Sequence, residues 1–110
     1  MTDEHREAIR IIKRYMYDAD RQMGLNSESG SFIQKSYSKS AGMDLIDRIQ
    51  ENQSKSVFTI IEQYQKLMDK YTVLNSRQSI IFSIKHDFAT YILDELIMYK
   101  ELRRKENQNE

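Results

Sequence analysis

The stretch "SIIFSIKHDFATYILDELIMYKEL", residues 79–102, decides how the rest of the chain is read. It holds no glycine or proline, and its apolar residues do not alternate as in a strand. On a helix, Ile80, Ile84, Tyr91, Met98 and Leu102 fall within about 40° of one another. Ile81, Phe88, Ile92 and Tyr99 continue to about 120°, and Phe82, Ala89, Leu93 and Leu96 carry the apolar arc to about 220°. One strip stays polar: Ser83, Asp87, Thr90, Asp94 and Glu101. Such a helix has more apolar surface than one neighbour covers. The spacing therefore predicts the central helix of a bundle, or a helix shared between two subunits, over about 77–105.

His86 and Asp87 stand side by side in this run. Adjacent helical residues do not face each other. Asp87 points about 100° away from His86, into the polar strip. The one other histidine is His5, and no HxxxH or HxxE spacing accompanies either. The pair reads as scaffold, and no metal site is expected.

Working backwards, "LNSRQS" (74–79) is a short break, with Asn75 and Gln78 spaced for a loose capping box. Leu74, Arg77 and Gln78 resemble the leucine-x-x-arginine-glutamine opening of sigma-factor promoter-reading domains. The resemblance covers about a fifth of the chain, and no tight turn and second recognition helix follow it, so no helix-turn-helix is expected. Before the break, Met43, Ile46, Gln50, Gln53, Val57, Ile60, Tyr64, Leu67, Tyr71 and Leu74 hold one heptad register. This predicts one helix over 43–74, or a kinked pair broken near "ENQSKS", with Ser54 or Ser56 restarting the second. A short turn would fold it back on the last helix as an antiparallel hairpin.

A first helix is predicted over 3–24, from the seam of Ile9, Ile12, Met16, Ala19 and Met23, widened by Ala8 and Tyr15. Thr2 suits its cap, Asp3, Glu4 and Glu7 its positive end, and Gly24 its stop. Between 25 and 41, "LNSESGSFIQKSYSKSA" is rich in serine and reads as an exposed loop. Residues 106–110 are expected to fray.

Composition agrees with helices. The 110 residues contain no proline, no cysteine and three glycines. This length fits one domain. Without cysteine there is no disulfide, zinc-thiolate site or thiol nucleophile. Lys+Arg and Asp+Glu number 17 each, so no net field draws the whole molecule to nucleic acid or an anionic membrane. Hydrophobic residues at 39% and eleven aromatics are too many for a disordered chain. The charged start and the lack of a long apolar run predict a cytoplasmic protein.

Two candidate binding features stand out. Arg6, Arg10, Lys13, Arg14, Tyr17 and Arg21 share a sector of about 100° on the first helix. Like charges at i,i+4 do not stabilise a helix, so the stripe suggests contact with phosphates or an acidic partner. Asp3, Glu7, Asp18 and Asp20 flank it, which equally suits a solvated face. In the 25–41 segment, Phe32 and Tyr37 interleave with Lys35 and Lys39, as in sites that stack on single-stranded nucleic acid or anchor a partner. There is no phosphate-binding glycine loop and no nucleophile elbow. Neither an enzyme nor a cofactor is expected.

The expectation is an all-α fold: an N-terminal helix on a long antiparallel hairpin, completed as a bundle by homodimerisation. Ile81, Phe82, Phe88, Ile92, Leu93, Leu96 and Tyr99 would form the bundle or dimer seam. The expected function is that of a small regulatory or adaptor protein binding a protein partner through helix faces and the 25–41 segment. The alternative is a nucleic-acid-binding regulator using the basic stripe.

Overall fold

A computed structural model describes the backbone of residues 1–25 and 29–108, and the side chains of 1–18 and 34–107. Every long element is a helix: α1 (Asp3–Leu25), α2 (Ser29–Glu51), α3 (Val57–Leu74) and α4 (Ser79–Gln108). They form two hairpins, α1–α2 and α3–α4, and α2 also lies on α4. No strand occurs among the described residues.

Of the 25–41 segment read as a serine-rich loop, Leu25 ends α1, residues 26–28 lie outside the described residues, and 29–41 are the first half of α2. Serine is only mildly unfavourable in a helix, and tertiary packing overrides such a preference. Ala41, Leu45 and Ile49 are fully buried, one every four residues. That ladder already runs through Ile33, Tyr37, Ala41, Leu45 and Ile49 in the sequence. The heptad register predicted for 43–74 fails in its first half for the same reason. Met43 is 55% exposed, and Gln50 and Gln53 face solvent. The helix ends at Glu51, where the Gln53 amide donates to the Gln50 carbonyl at 3.1 Å. After a turn over residues 52–56, Ser56 caps α3 by accepting from the Phe58 backbone N–H at 3.3 Å. The kinked-pair reading, with Ser56 as the restart, describes this break.

In α3 the register holds through Tyr71 and then fails: Val57, Ile60 and Tyr64 are buried, Leu67 and Tyr71 half-buried, and Leu74 exposed. Asn75 makes no side-chain cap, contrary to the capping box; its backbone N–H donates to Tyr71 and its carbonyl accepts from Gln78. A single 3₁₀ turn, Ser76–Gln78, leads into α4.

One core joins the hairpins. It combines Ala8, Ile11 and Ile12 of α1 with Leu45 and Ile49 of α2, Ile61 and Tyr64 of α3, and Ile92 and Leu96 of α4. Gly42 permits the close approach of α1 and α2. A Cβ there would lie 2.6 Å from the Met16 side chain and 3.2 Å from Ile12.

His5 is 3% exposed and closes the end of the bundle. Its Nε2–H donates to the Lys55 carbonyl at 2.7 Å, tying α1 to the turn between α2 and α3. In that tautomer Nδ1 accepts from the Thr2 backbone N–H at 3.3 Å and lies against the Thr2 hydroxyl. The same hydroxyl oxygen accepts from the His5 backbone N–H at 3.2 Å, so Thr2 caps α1 as predicted. Replacing His5 with alanine removes a partly buried bond between residues 50 positions apart in sequence. The expected loss is about 1–3 kcal/mol in chemical denaturation. A change within error would show that the turn is held without it.

Candidate partner-binding surface

α4 uses its apolar arc in two ways. The side from Phe88 through Ile92, Leu96 and Ala89 to Leu93 is buried inside the single chain. Ile81, Phe82 and Tyr99 are half-buried beside it. This is the seam expected to build the bundle or a dimer, and its central residues pack into the core of the single chain. The opposite side of the arc is open. Ile80 is 65% exposed, Tyr91 64%, Met98 58% and Leu102 59%, with Ile84 half-buried between them. These five residues share a sector of about 40° and form a ribbon about 33 Å long. Val73 and Leu74, just before the turn into α4, are exposed as well.

α1 borders the middle of this ribbon. The Tyr15 and Tyr91 rings meet at 6.1 Å between centroids, tilted by 55°. The Tyr15 hydroxyl donates to Glu95 at 3.1 Å, and Arg14 lies 3.7 Å from the same carboxylate. Burial, reinforced by Glu95, holds the Tyr15 hydroxyl above the ordinary phenol range. Beside this contact is a groove of about 480 Å³. Tyr15 and Asp18 of α1, Lys35 of α2, and Ile84, Asp87 and Tyr91 of α4 line it.

The basic stripe of α1 is largely matched by acids. Arg6 lies 3.3 Å from Asp3, and Arg10 forms a two-point pair with Glu7. With Arg14 on Glu95, three of its cations have a carboxylate beside them. Lys13 and Tyr17 are exposed. The side chains of Arg21 and Phe32 lie outside the described residues. Lys35 enters the groove described above, and Tyr37 and Lys39 are half-buried along α2. Placed on a helix, these three are part of a packed element, not an exposed loop.

Arg10 holds the Glu7 carboxyl below the ordinary glutamate value of 4.5, against the opposing effect of burial. A depressed carboxylate stabilises the fold above the unfolded value, and that contribution is lost as pH falls through the lower folded value. Glu7→Gln should therefore flatten the acid limb of stability below about pH 4.5. Denaturant unfolding of both proteins between pH 6 and 3 checks this. Parallel curves would contradict it.

A second groove, of about 600 Å³, lies between α2, α3 and α4. Four of its side chains engage one another. The Tyr64 hydroxyl donates to Asp44 at 3.2 Å, Lys85 lies 3.6 Å from Asp44, and the Arg48 guanidinium sits 5.2 Å from the Tyr64 ring centre. Burial first, then Asp44, pushes the Tyr64 hydroxyl well up. Such a group is locked as a donor and unsuited to giving up its proton at neutral pH. His86 and Asp87 touch only at an exposed 3.4 Å contact. Among the described residues, no three His, Cys, Asp or Glu side chains are grouped to hold a metal ion. Nor is any described helix long and apolar enough to cross a membrane.

Comparison of this chain with protein-family models, with curated proteins and with solved structures finds no match.

The sequence contained the ribbon but gave no reason to single it out. All three sectors of α4 are apolar, and only the packing of α1, α2 and α3 decides which is left uncovered.

Proposed function

We propose that this protein is a small non-enzymatic regulatory or adaptor module that docks another polypeptide on the outer face of α4. The observation that carries this is the ribbon of Ile80, Ile84, Tyr91, Met98 and Leu102. Scattered exposed hydrophobics are normal on a folded surface. Five apolar side chains aligned on one sector of about 40° over about 33 Å of a helix are not scattered, and mark an interaction face. The strip is not needed for folding, because the opposite side of α4 already meets the core. Its mixture of aromatic, aliphatic and methionine side chains suits a protein interface.

The basic stripe supports nucleic-acid binding less well. Its arginines lie against carboxylates, which cancel much of the local positive potential.

A photo-crosslinking side chain placed at Tyr91 or Met98 tests the reading in cells that make the protein, with Glu62 on the outer face of α3 as control. One common adduct from 91 and 98, missing from 62, is expected. The same adducts from all three positions would contradict it. Salt-sensitive binding of duplex DNA or single-stranded RNA, lost in Arg10→Glu/Arg14→Glu, would put the nucleic-acid reading in its place.

A further inference from the structure

We infer that the docked element is an amphipathic helix of another protein whose apolar seam is flanked by lysine or arginine. This inference rests on the docking face proposed above and names what it receives.

Two rows run along the outer face of α4, each with a period of seven. Ile84, Tyr91 and Met98 form one; Ile80, Asp87, Asp94 and Glu101 form the other. Paired rows at this spacing are how one helix receives a second. The length of the ribbon matches a partner helix of about 22 residues.

After Ile80, the second row is acidic throughout. Asp87, Asp94 and Glu101 are all exposed. Their near neighbours answer this charge weakly. Asp87 has His86 at 3.4 Å, and Glu101 has Arg104 at 3.7 Å in an exposed pair. The groove at the middle of the ribbon continues the pattern. It sets the exposed Tyr91 ring beside Asp18 and Asp87. An aromatic face next to carboxylates suits a guanidinium or ammonium group, which stacks on the ring while meeting the charge. Arg14 already does this inside the molecule, 5.6 Å above the Tyr15 ring and paired with Glu95. Lys35, also in the groove, offsets part of the charge and leaves two acids against one cation.

The same charges argue against a second copy as occupant. A two-fold pair of α4 helices sets like rows together when parallel, so that Asp87, Asp94 and Glu101 meet their own copies, and sets one row against the other when antiparallel. In the antiparallel pair Tyr91 of one copy would face Asp94 of the other, Met98 would face Asp87, and Ile84 would face Glu101. Each carboxylate would lose water and meet an apolar side chain instead of a donor. A basic helix supplies the missing counter-charge along the whole row.

The test is a displayed library of helical peptides of about 22 residues, with leucine at the seam and Lys, Arg, Gln or Glu at the flanking positions. The full chain and its Asp87→Lys/Asp94→Lys variant serve as targets. The wild type should enrich Lys- and Arg-flanked peptides, with affinity falling about tenfold on going from low to moderate salt. The variant should switch to Glu-flanked peptides. Neutral or acidic winners on the wild type, or the same winners on both targets, would overturn the inference. So would the absence of any winner; crosslinks formed at 91 and 98 would then leave the docking face standing without its basic helix. A wild-type dimer in sedimentation, dispersed by Tyr91→Glu/Met98→Glu, would make the second copy the occupant and also overturn it.

Discussion

Replacing Ile92 with alanine should lower the unfolding free energy by about 2–5 kcal/mol, while Met98→Ala in the same helix should stay within about 0.5 kcal/mol. The two residues are six positions apart on α4. Ile92 is fully buried where α4 meets the rest of the core. Truncating it removes the transfer energy of its methyl groups and leaves a cavity that close-packed neighbours fill only in part. Met98 is 58% exposed and leaves no cavity when shortened. A loss of this size is a large share of the total stability of a domain of this length. Urea denaturation of the three proteins under identical conditions decides the matter. Equal losses at both positions would mean that the outer face of α4 is packed in solution, and the separation of core face from docking face would fail.

The second large effect falls on binding. Tyr91→Glu/Met98→Glu places two charges in the middle of the ribbon and should weaken partner docking at least about a hundredfold. A buried carboxylate facing an apolar seam has no donor to offset its lost hydration. Tyr91 also forms the ring contact with Tyr15 beside the groove, so its loss opens the point where α1 borders the ribbon. Both side chains are largely exposed in the free chain, so the helical circular-dichroism signal and the thermal midpoint should change little. Lost binding with an intact fold is the expected pair of results. Binding within about twofold of wild type would remove the ribbon from the interface.

The helices themselves were largely legible in the sequence. α1, α3 and α4 declare themselves by apolar residues three and four apart, and Ser56 and Thr2 cap where their types predict. α2 was hidden by composition. Its serines suggested a loop, while the four-residue ladder through Tyr37, Ala41, Leu45 and Ile49 carried the true signal. Gln50 and Gln53 misled in the other direction, because a heptad count tolerates occasional polar positions and so ran straight through a turn. The candidate site was less legible. A helix with apolar residues on most of its circumference does not say which sector its neighbours will cover. Here the central arc, the natural choice for a dimer seam, is filled by α1, α2 and α3 of the same chain. Likewise, the acids flanking the basic stripe of α1 were visible in the sequence, and Asp3 and Glu7 do meet Arg6 and Arg10, but Glu95, which meets Arg14, lies 81 positions further on.

The central claim is that the outer face of α4 receives a partner. Its most direct measurement is a titration of ¹⁵N-labelled protein with the polypeptide recovered from the Tyr91 crosslink. Shifted amides should follow Ile80, Ile84, Tyr91, Met98 and Leu102, include Tyr15 at the groove, and leave Glu62, Lys66 and Asp69 on α3 unmoved. Shifts centred on α3, or on the Arg6–Tyr17 stripe with α4 unmoved, would contradict the account.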